Sequence, residues 1–120
     1  MGQIDERAWT ELNGAVQQEL VAWRRAHPRA TLAEIEAAVG AALARVQAQY
    51  LRDLVAASPL ADVAGLSEAE RPRCPDCGAA LAARGRQERR VLTPGQPAPL
   101  AIRRSYAVCP ACGRGLFPPG

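Results

Sequence analysis

Trp9, Leu12, Val16, Leu20 and Trp23 recur at spacings of three and four residues. That period places all five on one face and predicts an amphipathic helix over about Asp5 to Ala26. Gly14 weakens it by about 1 kcal/mol relative to Ala. Pro28 ends it, because the ring disfavours helical geometry at His27. Arg24 and Arg25 stand in the last turn, where positive charge suits the helix dipole.

A second helix is predicted from Thr31. Thr31-Leu32-Ala33-Glu34 has the form of a capping box, with hydroxyl and carboxylate each able to reach the other residue's amide. Leu32, Ile35, Val39, Val46, Tyr50 and Leu54 follow as its apolar stripe, and Ser58-Pro59 closes it. The short link Ala26–Ala30 predicts an antiparallel helical hairpin. Two helices bury one stripe between them, so the stripe reads as core, completed by the cysteine-bearing C-terminal part, a partner subunit or a missing domain.

Residues 59–73 read as a linker with a small helical segment at Ser67–Glu70. Beyond it the helical period stops. Residues 86–93 and 100–108 read as two strands joined by Pro94-Gly95-Gln96-Pro97-Ala98-Pro99. In the second strand Ile102, Arg104, Tyr106 and Val108 share one face, and Ala101, Arg103, Ser105 and Ala107 share the other.

Charge divides the same way. Residues 1–70 hold six Arg and ten Asp or Glu, a balance of −4, whereas residues 71–120 hold nine Arg and two acids, a balance of +7. A neutral-to-acidic scaffold joined to a basic surface is one reading. Genome composition is another source of Arg in place of Lys, although it does not explain the loss of acids. The N-terminus has no basic and apolar leader pattern, and no apolar run approaches the roughly 18 residues needed to span a bilayer. The expected compartment is the cytoplasm, where thiols stay reduced.

Four cysteines then acquire a meaning. Cys74-Pro75-Asp76-Cys77-Gly78 and Cys109-Pro110-Ala111-Cys112-Gly113 both fit Cys-Pro-x-Cys-Gly. Two thiolates three residues apart can reach one ion at about 2.3 Å each. Pro stiffens the turn, and Gly permits the positive φ that turns amides toward sulfur. Cys74, Cys77, Cys109 and Cys112 therefore predict one structural Zn2+, with a β-hairpin in the 31 intervening residues. Disulfides, an iron–sulfur site and a redox dithiol are the alternatives. A thioredoxin-like site lacks its βαβ surroundings. Four thiolates leave no open coordination position, so a zinc ion here would be structural.

Arg84, Arg86, Arg89, Arg90, Arg103 and Arg104 lie between the cysteine pairs, with Glu88 the one acid among them. Their planar forks suit phosphate. A solvated basic face that keeps a small ribbon soluble is the plainer alternative. Tyr106 is the single aromatic candidate there, so duplex backbone contact fits better than stacking on single strands. His27 reads as a loop residue. No glycine-rich phosphate loop or Ser/His/Asp set is present, and two acids cannot assemble a metal-dependent phosphoryl-transfer site.

The run Cys74–Gly78, Arg84-Gly-Arg86, Arg89-Arg-Val-Leu-Thr93, Ile102-Arg-Arg-Ser-Tyr106 and Cys109-Pro-Ala-Cys-Gly-Arg-Gly-Leu-Phe-Pro118 resembles the N-terminal zinc-ribbon region of bacterial insertion-sequence transposases of the ISKra family. Ala26-His-Pro-Arg-Ala-Thr-Leu-Ala-Glu-Ile-Glu36 resembles the segment preceding that ribbon. The resemblance implies DNA binding by the ribbon, ahead of a larger nuclease domain. The sequence departs from that pattern by ending at Gly120, where the nuclease domain would begin, so no catalytic residue is carried over.

The expectation is an α+β chain: an antiparallel helical hairpin at 1–58, a linker at 59–73 and a four-cysteine zinc ribbon with a β-hairpin at 74–118. Its expected role is that of a non-catalytic DNA-binding module. The alternative is a protein-interaction adapter whose helices dimerise or dock a partner.

Overall fold

The computed structural model describes residues 4–58 and 62–117. Pro59, expected to close the second helix, and Pro118 lie outside the described residues. Helix α1 spans Glu6–Ala26, capped by Asp5, whose carboxylate accepts from the Ala8 amide at 3.0 Å. Its last turn is closed by His27, whose amide donates to the carbonyls of Trp23 and Arg24. The His27 ring stacks on Trp23 at 4.7 Å, and its Nδ1 lies 2.8 Å from the Trp23 carbonyl, which requires the proton on Nδ1. The lone histidine thus finishes a helix.

Helix α2 spans Leu32–Ala56, 25 residues, and the Thr31–Glu34 capping box forms in both directions. The helices run antiparallel, with the start of α1 against the end of α2. There Trp9 and Tyr50 pack at 4.4 Å, Trp9 Nε1 donates to Asp53 at 2.7 Å, and Asn13 Nδ2 donates to the Tyr50 hydroxyl at 2.7 Å. Arg45 and Glu19 pair further along.

The α1 stripe behaves as expected, with Val16 buried and Trp9, Leu12, Leu20 and Trp23 half-buried. The α2 stripe does so in part: Ile35, Val46 and Tyr50 are half-buried, but Leu32, Val39 and Leu54 are 70%, 37% and 51% exposed, while Ala42 and Ala48 are buried. Alanine lets helix backbones approach closely, so the inward face of α2 is set by its small residues and several large ones are left outside.

After α2 the chain makes a 3-10 turn at Val63–Gly65. The helical segment expected at Ser67–Glu70 is a turn instead, held by Ser67 Oγ donating to the Glu70 carboxylate at 2.6 Å. That contact also holds the Glu70 carboxyl below its ordinary range. Strands β1 (Ala82–Val91), β2 (Leu100–Val108) and β3 (Gly115–Leu116) form an antiparallel sheet in that order. β1 begins four residues earlier than the pattern suggests and carries an irregularity between Ala83 and Arg86, where Gly85 takes φ of 74°.

Helices and sheet touch at the hairpin tip. Gln96 Nε2 donates to the Ala44 carbonyl at 2.9 Å and to Gln47 Oε1 at 2.7 Å, and Gln47 Nε2 donates to the Pro94 carbonyl at 3.0 Å. The Pro/Gly-rich connection, expected to be only a turn, thereby covers part of α2. On the other side, the buried Ser105 hydroxyl accepts from the Val63 amide at 3.3 Å. No described helix is long and apolar enough to cross a membrane.

Candidate functional site

The two cysteine turns are copies of one another. In the first, the Cys74 amide donates to the Ala79 carbonyl at 2.8 Å and the Gly78 amide to the Cys74 carbonyl at 2.9 Å. In the second, the Cys109 amide donates to the Arg114 carbonyl at 2.8 Å and the Gly113 amide to the Cys109 carbonyl at 2.9 Å. Gly78 and Gly113 adopt φ of 77° and 79°, a region where a Cβ is strained. The repeated five-residue pattern thus produces a repeated backbone.

The sheet brings the two turns together. Cys109 follows β2 directly, β1 pairs with β2 on both sides of the irregularity at Ala83–Arg86, and a bridge between Arg73 and Ala80 fixes the first turn at the base of β1. All four Sγ atoms lie within 4.8 Å of one another, with Cys74–Cys112 at 3.7 Å and Cys77–Cys109 at 3.3 Å. A tetrahedron with metal–sulfur bonds of about 2.3 Å has sulfur–sulfur edges of about 3.8 Å. The quartet therefore fits one metal ion, and all four cysteines are free thiols.

Cys74 and Cys109 are buried, and Cys77 and Cys112 are exposed. Cys74, Cys109, Leu81 and Ala107 make up the core of the sheet, with Ala79 and Leu116 packed against it. Half of that buried cluster is sulfur ligand.

The amide of Cys112 donates toward Cys109 Sγ at 3.4 Å, and this contact, outweighing desolvation, lowers the Cys109 thiol to about 6. For Cys77 the Ala79 amide pulls downward, but the neighbouring Cys109 thiol, desolvation and the other cysteines outweigh it and push Cys77 up to about 12. Four thiols sharing one small volume resist collective ionisation. A divalent cation at their centre reverses that balance by favouring thiolate at every ligand.

Two residues that the sequence reading passed over brace the site. Arg114 Nη1 donates to both Asp76 carboxylate oxygens at 2.8 Å. Opposite charges placed inside one cysteine turn and just after the other were the available signal. Phe117 packs edge-on against Tyr106 at 5.3 Å, and Arg89 lies over the Phe117 ring at 5.6 Å. A Cβ at Gly115 would meet the Tyr106 hydroxyl, so glycine is needed there for steric reasons.

The six arginines between the knuckles divide by face. Cross-strand pairing sets Arg89 opposite Ile102 and Arg104 opposite Gln87, on the side of Tyr106. Arg86, Arg90 and Arg103 lie on the other side, opposite Ser105, Ala101 and Glu88. Arg86 reaches Asp62 at 3.6 Å and Arg90 reaches Glu88 at 3.8 Å. Arg84 and Arg103 are exposed, and neither forms an ion pair among the described residues, although Glu88 faces Arg103 across the strands. Arg104 departs from the expectation of a surface residue, being 8% exposed. Compared with family models, curated proteins and solved structures, the chain gives no match.

Proposed function

We propose that the chain is a zinc-stabilised nucleic-acid-binding module of the kind found at the N-terminus of ISKra-type transposases. Cys74, Cys77, Cys109 and Cys112 would hold one Zn2+, favoured by an all-thiolate tetrahedral set in two rigid turns. The ion supplies shape and folding free energy, since no coordination position is left open. The observation that carries the reading is the basic sheet: the exposed Arg84, Arg89 and Arg103 form no ion pair among the described residues, with Arg89 on one side of the sheet and Arg103 on the other, and exposed guanidinium groups suit backbone phosphate. The rest of the module positions that sheet, and no catalytic role is assigned to any residue.

A salt-titrated binding assay with duplex DNA and the intact, metal-loaded chain tests this. Affinity is expected to fall steeply with salt, and replacing Arg89, Arg90, Arg103 and Arg104 together is expected to abolish it. Absence of binding at low salt overturns the reading. A second reading, a protein-interaction adapter, is favoured by Leu32, Leu43 and Leu54, which are 70%, 52% and 51% exposed on α2. Sedimentation of the same protein as a stable dimer, with no affinity for DNA, would select it.

A further inference from the structure

Arg104 lies on a basic hairpin yet is buried. Among the described residues, its Nε and Nη2 have no hydrogen-bond partner. The acids near the sheet are committed elsewhere: Glu88 to Arg90, Asp62 to Arg86 and Asp76 to Arg114. The residue diagonal to Arg104 across the strands is Arg89, another cation. Burial, and then Arg89, lower the proton affinity of the Arg104 guanidinium. A buried cation without a counter-ion is costly, and removing one partner from a buried pair shows how large that cost can be. Arg104 has the surroundings of half an ion pair.

The missing half has a definable chemistry. Arg104 offers two unused donor atoms inside the surface, and Arg89 offers an exposed fork over the Phe117 ring. Tyr106 and Phe117 line the same side, giving an apolar surround in which a charge-assisted hydrogen bond is stronger than in water. Two guanidinium groups at diagonal positions on one face of adjacent strands match an anion with several oxygens better than a single carboxylate.

We propose that Arg104 and Arg89 form a receptor for one phosphate group, with Arg104 as the fixed floor and Arg89 as the movable arm. On binding, Arg89 leaves the Phe117 ring to share the anion with Arg104. The exposed Arg84, Arg86, Arg90 and Arg103 attract phosphate without fixing its position, whereas this pair sets the register of the sheet on its target. The inference deepens the nucleic-acid reading and rests on it for the source of the phosphate, either a backbone phosphodiester or a terminal monoester.

The test uses the metal-loaded full chain, labelled with 15N, and follows arginine Nε–H resonances. Inorganic phosphate is titrated against chloride at fixed ionic strength. One resonance, identified by its absence in Arg104→Met, is expected to shift saturably, and Arg89→Gln is expected to weaken that response about tenfold. Duplex affinity is expected to fall about tenfold or more in Arg104→Met, whose thermal midpoint should hold or rise because an uncompensated charge is removed. Equal affinity for duplexes with and without 5′-phosphates assigns a backbone phosphodiester, and tighter binding of the phosphorylated duplex assigns a chain end. An unmoved Arg104 resonance in phosphate overturns the receptor, as does a lowered midpoint with unchanged duplex affinity. If Arg104→Met does not fold, Arg104→Lys identifies the resonance instead, and an unaltered response in the Arg89→Gln titration overturns the pairing. Duplex binding with Arg104 unmoved removes the receptor and leaves the nucleic-acid reading. A phosphate response without duplex binding keeps the receptor and removes that reading.

Discussion

Arg114 reaches across from the second cysteine turn and holds both carboxylate oxygens of Asp76 in the first, each at 2.8 Å. The Asp76 contact, through its hydrogen bond first and its charge second, raises the Arg114 pKa. Both side chains are about half exposed, so solvent screens the pair and its contribution to stability is small. Its effect should appear in how quickly the turns part. Asp76→Asn is expected to speed metal release to a chromogenic chelator by about two- to fivefold, the modest effect of losing an exposed ion pair. The difference should shrink in 1 M NaCl, because an exposed pair is screened. Equal release rates at low salt would show that the contact does not hold the turns together.

Metal removal should have a much larger and more local effect. The sheet core is Cys74, Leu81, Ala107 and Cys109, with Ala79 and Leu116 beside it. So small a core cannot sustain a fold alone, and ligation supplies about 10–16 kcal/mol of apparent folding free energy in comparable small metal domains. Full chelation is expected to collapse amide dispersion over residues 74–113 while helical circular dichroism persists. Retained dispersion in that segment after complete metal loss would contradict the prediction.

Acid should weaken the helical hairpin through one residue. Gln49 and then Trp9 donate to the Asp53 carboxylate and hold its pKa below the ordinary value. A carboxyl depressed in the folded state stabilises the fold above its unfolded pKa of about 3.9. That stabilisation is lost as pH falls through the folded value. Asp53→Ala leaves the Trp9 indole without its acceptor and should cost about 1–2 kcal/mol at neutral pH. The variant should also lose part of the acid dependence below about pH 4, read from helical melts between pH 2 and 6. Parallel acid profiles for the two proteins would show that Asp53 does not carry the effect.

Local chemistry was the legible part of this molecule. The 3–4 spacing of Trp9 to Trp23, the capping box at Thr31 and the doubled cysteine pattern each depend on residues near one another in sequence. The structure reproduces all three. The inward face of α2 was less legible, because hydrophobic spacing ranks Leu32 and Leu54 above Ala42 and Ala48, whereas close helix packing favours the small residues. Burial of Arg104 was hidden for another reason. Alternation correctly put it beside Ile102 and Tyr106, but side-chain spacing within one strand does not reveal which positions of that face lose their solvent. The Asp76–Arg114 contact depends on the two turns meeting, which spacing alone does not reveal.

The docking of Gln96 on Ala44 and Gln47 has a mechanical consequence. A two-stranded hairpin fixed only at its cysteine end would be a cantilever, free to flex at its tip. With the tip seated on α2, it is a span supported at both ends. Load applied to its middle, where the arginines are, is passed to the cysteine turns at one end and to the helices at the other. A pull on the sheet by a bound polyanion would thus be felt along α2.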